Sequence, residues 1–203
     1  MNSMIDLFKY DSTDVSSEIL EMGVDALLKD NSILEKLPVI NIILGAKKTL
    51  SSMNEAFLVR KMLKFLKLAG QIPLEDRVNF ISKHLNGKER EFAEKVTHTI
   101  TRQDDLDKST FITKLYKSAV YEIITLEEFY RFIGLVDKIY IDDLNFLLKT
   151  DENNFKGLHP YLLTQLGITE RLNTHGDLAG RSSISTMNFK ITTFGEKFKK
   201  SLI

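Results

Sequence analysis

The hydrophobic period of this chain changes after Gly167, and that change limits what its two ends can fold into. Before it, apolar residues recur every three or four positions, the repeat of one helix face. Leu144, Leu147 and Leu148, then Leu158, Leu162, Leu163 and Leu166, carry that repeat up to the glycine. Beyond it, Met187, Phe189 and Ile191 alternate with Asn188, Lys190 and Thr192. That two-residue repeat belongs to a strand with one buried face. Glycines and prolines number only ten and three in 203 residues, so the intervals between them are long and favour helices.

Within the helical part, the spacing predicts helices over 14–30, over 47–69, from Pro73 to about 85, over 89–101 and over 111–124. Ser32 and Glu35, then Thr125 and Glu128, have capping-box spacing, in which each side chain satisfies a free backbone N–H of the other. The second box opens a helix that ends near Lys138. Gly70 is a stop, because glycine accepts the left-handed conformation of a C-terminal cap. Pro73 suits the first helical position, and Glu75 and Asp76 suit the positive end of the helix dipole. The stretch 102–107 reads as a loop or an acidic helix start.

The last third carries most of the fold information. Ile141 opens a short helix with Asp142 and Asp143 in its first turn, and a polar linker, 150–157, follows. Leu158 opens a second short helix, closed by Gly167. A strand over 168–173, a polar loop over 174–185 and the alternating strand come next. Thr193 and Glu196 have capping-box spacing and open a terminal helix, 196–202. Helix, helix, strand, loop, strand, with the helix at 126–138 as first member, resembles the winged-helix fold over 126–203. The expected fold class is therefore mainly α: a helical N-terminal domain, 1–125, then a winged-helix-like α+β domain, 126–203, with a two-stranded hairpin. Glu170 departs from the pattern, since it occupies an apolar-facing position of the first strand.

A winged helix normally sets the second helix of its helix-turn-helix in the major groove. Here that helix offers Thr164, Gln165 and Tyr161 but no Arg or Lys. Arg171, Arg181 and Lys190, with His175, are the candidate wing contacts, and Lys197 leads the basic residues of the terminal helix. Phosphate neutralisation takes about 6–10 contacts. Residues 151–203 hold five acids and seven bases, a poor balance for that purpose. The expected partner is another protein, with a homo-oligomer, DNA and a membrane surface as the other candidates.

The charge is uneven further upstream. Residues 1–30 hold seven acids and two bases, and residues 31–69 hold two acids and seven bases. Lys47, Lys48, Arg60, Lys61 and Lys64 flank the apolar stripe of Leu50, Met53, Phe57, Met62, Phe65 and Leu66. A basic amphipathic helix of that kind suits a partner groove or an anionic interface. The longest apolar run, Leu37-Pro-Val-Ile-Asn-Ile-Ile-Leu-Gly-Ala46, is about half the roughly 20 residues that a spanning helix needs. The first residues lack a basic stretch before an apolar core, so no secretory leader is expected, and a cytoplasmic protein is.

No reaction is legible. With no cysteine there is neither thiolate nor disulfide. Gly45-Ala-Lys47-Lys48-Thr49 lacks the upstream glycine of a phosphate-binding loop. His84, His98, His159 and His175 have no partner at metal-ligand spacing. Asp104, Asp105 and Asp107 lack calcium-loop spacing and read as a solvated helix start. No cofactor, metal or catalytic residue is expected, and the chain reads as a non-enzyme.

Residues 37–45, then Phe57-Leu-Val-Arg-Lys-Met-Leu-Lys-Phe-Leu66, then Glu75-Asp-Arg77, resemble a group of small uncharacterised bacterial proteins, a likeness covering about 33–85. At a general level such proteins are similar to accessory proteins of mobile elements and phage-defence loci. No function carries over from the resemblance. The expected role is that of a non-enzymatic interaction or assembly protein, with a winged-helix DNA-binding regulator or a peripheral membrane-associating protein, through the helix at 47–69, as alternatives.

Overall fold

The structure, a computed structural model, describes residues 57, 61, 62, 64, 65, 68–150, 154–156, 158–172 and 188–203. The expected helix at 14–30, the Ser32–Glu35 box and most of the 47–69 helix lie outside the described residues. Those described between 57 and 69 are helical.

The chain divides into two compact units, residues 1–133 and 134–203. In the first, helix α1, Leu74–Phe80, runs on as a π turn, Ile81–Leu85. Pro73 is the residue ahead of α1, one position earlier than expected, with Glu75 and Asp76 in the first turn. Asn86 and Gly87 take positive φ, 31° and 87°, and end the turn. Helix α2, Glu89–Arg102, and helix α3, Lys108–Val120, follow. Helix α4, Leu126–Lys138, crosses the division, which the sequence placed ahead of it.

The expected box at the start of α4 forms. Glu128 Oε2 accepts from Thr125 N at 2.9 Å, and Thr125 Oγ1 accepts from Glu128 N at 3.1 Å. The helix expected at 111–124 starts earlier and stops sooner, because Glu122 turns left-handed, φ 57°, and Ile123 N donates back to Ser118 O at 2.9 Å.

An aromatic cluster fills the first unit. Phe80 meets Tyr116 edge-on at 5.9 Å, and Phe92 stacks on Phe129 at 5.5 Å. Tyr116, Phe129, Phe80 and Phe92 are all buried. Such ring pairs add about 0.5–1.5 kcal/mol each beyond the area they bury.

In the second unit, helix α5, Ile141–Lys149, leads to strand β1, Asn154–Lys156. Helix α6, Leu158–Thr164, then leads to strand β2, Thr169–Leu172. Strand β3, Asn188–Ile191, leads to helix α7, Thr193–Ser201. The sheet has three strands in the order β1-β3-β2, both pairings antiparallel. The expected two-stranded hairpin is present as β2 with β3. One expectation is corrected: the polar linker contains a strand, β1, which adds a third member to the sheet. Phe189 sits at the centre, opposite Phe155 and Arg171, and is fully buried.

The register answers the question Glu170 raised. Thr169 takes the buried position, while Glu170 is exposed opposite Lys190, 3.0 Å from its ammonium. The terminal box is also shifted by one residue: Thr192 Oγ1, not Thr193, accepts from Gly195 N at 2.9 Å. A Cβ at Gly195 would fall on the Ile168 carbonyl, so only glycine lets α7 approach β2's leading residue this closely.

Candidate functional site

In the second unit, α6 packs on β2 and on α5 and is the counterpart of the expected recognition helix. Its hydroxyls point inward. Thr164 Oγ1 donates to Pro160 O at 2.8 Å and lies 2.8 Å from Thr169 Oγ1, which donates to the same carbonyl at 2.6 Å. Thr164 is thus engaged in closing the α6–β2 junction. Gln165 is exposed just past the helix, and Tyr161 is 37% exposed with its ring edge-on to Phe189.

The candidate basic residues scatter. Arg171 is exposed on β2, Lys190 is exposed on β3 and ion-paired to Glu170, and Lys197 is exposed on α7. Lys199 donates to Thr150 O. Arg181, Lys47, Lys48 and Arg60 lie outside the described residues.

The other two lysines of the expected basic face do not form an open surface. Lys61 is buried, 3% exposed, and its ammonium donates to Thr101 O at 2.9 Å and Gln103 O at 2.8 Å. Those carbonyls belong to the end of α2, where the helix dipole favours a cation. Burial lowers the Lys61 pKa, and the Asp104 carboxylate opposes that effect. Lys64 is ion-paired to Asp107 at 2.5 Å.

The acidic loop supplies these counter-charges. Asp104 bonds the buried Lys108 at 2.7 Å, and that bond, more than the nearby Lys61, holds its carboxyl below the usual range. Asp105 accepts from Asp107 N at 2.6 Å. Of the three carboxylates expected as a solvated helix start, Asp107 therefore ties Lys64 to the α2–α3 loop, while Asp104 bonds α3 and Asp105 bonds within the loop. Among the described residues no group of three or more His, Cys, Asp or Glu side chains is placed to hold a metal ion.

One pair escaped the sequence reading. Asp143, buried in the first turn of α5, accepts from His159 Nδ1 of α6, and the His159 ring stacks on Phe146 with centroids 5.1 Å apart. The partners are 16 residues apart on different helices, so no local spacing could pair them. By contrast, Asp104 and Lys108 stand at i,i+4, a signal that was present in the sequence.

Among the described residues no helix is long and apolar enough to cross a membrane. No known protein family, characterised relative or solved structure matches the chain.

Proposed function

We propose that this chain is a non-enzymatic interaction or assembly protein whose C-terminal unit is a winged-helix-like module that docks on another protein. The sheet order β1-β3-β2, with a helix packed ahead of β2 and a terminal helix after β3, supports the winged-helix reading.

The observation that carries the protein-docking reading is the surface of α6. It has no Arg or Lys, its Thr164 hydroxyl is turned into the fold, and Tyr161 is its exposed aromatic. Tyr140, 66% exposed ahead of α5, is a second aromatic on this unit. Tyrosines anchor protein contacts because the ring offers apolar area at low conformational cost and the hydroxyl stays wet. A major-groove helix would need side chains free to bond base edges and cations to meet phosphates.

Titrating the whole chain into labelled duplex DNA at low and moderate salt tests this reading. Absence of binding at low salt is the expected result. Binding that falls linearly with log salt, and that is lost when Arg171, Arg181 and Lys190 are changed to Glu, makes the module a DNA reader instead.

A further inference from the structure

The end of α3 has the hydrogen bonds of a Schellman cap: Ile123 N donates to Ser118 O at 2.9 Å, and Glu122 N donates to Ala119 O at 3.1 Å. The residue between helix and exit in this motif takes the left-handed conformation, and glycine is usual there because it has no Cβ. This chain places Glu122 at that position, φ 57°. A glutamate there is less favourable than glycine as a cap, so its side chain has another use. The carboxylate receives Lys83 Nζ at 2.5 Å, and His84 Nε2 lies 3.3 Å from the same oxygen. Both side chains come from the π turn that follows α1, itself an uncommon geometry that recurs at functional positions. Next door, the Tyr121 hydroxyl bonds Asp76 in the first turn of α1. Around these polar contacts, Val78, Tyr121 and Ile123 are 43%, 44% and 57% exposed, so little apolar burial holds residues 121–123 in place, while Ile124 just beyond them is buried.

We propose that Lys83, His84 and Glu122 form an ionic clasp, and that the α3–α4 turn is a two-state element which this clasp holds closed. In the closed state the left-handed Glu122 is retained by Lys83 and His84 of the π turn. In the open state Glu122 relaxes from the left-handed region, the Schellman bonds of Ile123 and Glu122 break, and Tyr121 is released from Asp76 of α1. The strained backbone supplies the bias toward opening, and the charges supply the bias toward closing.

Amide hydrogen exchange on the whole protein tests the clasp, read at Glu122 and Ile123. Glu122→Ala removes the carboxylate and keeps the Cβ strain, so exchange at both amides is expected to quicken by roughly fivefold to tenfold, the effect of losing exposed ion pairs. Glu122→Gly removes carboxylate and strain together, so its exchange is expected to stay near wild type. Raising salt to about 0.5 M is expected to quicken exchange in wild type and leave Glu122→Gly unchanged, since salt screens only the clasp. Amides of α2, such as Val96, serve as the control for global unfolding. Unchanged exchange in Glu122→Ala, or equally fast exchange in Glu122→Gly, would overturn the proposal.

Discussion

The ammonium of Lys61 donates to the backbone carbonyls of both Thr101 and Gln103, at 2.9 and 2.8 Å. A lysine on an amphipathic helix face is thereby a structural crosslink to the end of a helix about forty residues on. Replacing it with methionine keeps the apolar stem and removes the three donors. Two carbonyls then lose a partner in a buried place, which costs about 1–3 kcal/mol for each group left unsatisfied. Lys61→Met is expected to lower stability by about 2–3 kcal/mol in urea denaturation. A change within about 0.5 kcal/mol, the size typical of surface substitutions, would return Lys61 to the solvent-facing role its sequence suggests.

The close approach at Gly195 gives a second expectation. Gly195→Ala would set a methyl group against the Ile168 carbonyl, which also accepts from Thr192 N at 3.0 Å. Backbone must shift, because the obstacle is not a flexible side chain. The expected loss is about 2–4 kcal/mol, within the range for overpacking with added strain. A melting temperature equal to wild type would show that α7 is not seated on this carbonyl.

Tyr116 sets an alkaline limit. Burial pushes its hydroxyl up to about 12, the nearby Arg77 guanidinium offsetting part of that rise. A phenol raised above its unfolded value of about 10 contributes stability that is present below that value and lost as pH climbs through the folded value. Stability is therefore expected to fall between about pH 10 and 12, by about 2–3 kcal/mol at most, and Tyr116→Phe should flatten the fall. Absorbance at the phenolate band checks the premise. A Tyr116 signal that titrates at the unfolded value of about 10 would remove it.

The capping box at α4 yields a smaller effect. Thr125→Ala removes the hydroxyl that Glu128 N uses and is expected to cost about 1 kcal/mol. Thr193→Ala is expected to cost much less than Thr192→Ala, because Thr192 is the residue whose side chain caps α7. Urea denaturation of the two threonine variants separates the two registers.

Where a local rule was enough, sequence and structure agree. Thr125 and Glu128 mark the start of α4 by themselves, and Asn86-Gly87 marks the end of the π turn. Where two neighbours satisfy the same rule, the choice is tertiary: Thr192 and Thr193 can both precede a helix, and the packing of α7 against Ile168 selects the first. Strand β1 was hidden because three residues show no period, and only pairing with β3 makes them extended. Ile123 and Ile124 seemed to prolong α3, yet Ile124 is buried and Ile123 exposed, because the left-handed Glu122 turns the chain between helices. The buried Lys61 was illegible, since a lysine reads as solvent-facing until a carbonyl appears beside it. The Asp143–His159 pair was illegible because its partners come from different helices.

The proposed docking surface is that of α6, and its partner is a protein. A photo-crosslinking amino acid placed at Tyr161 in the native host tests this most directly, with exposed Lys117 of α3 as the reference position. A discrete protein adduct is expected at position 161 and is expected to be missing at position 117. Adducts to nucleic acid, or no adduct above the reference, would contradict it.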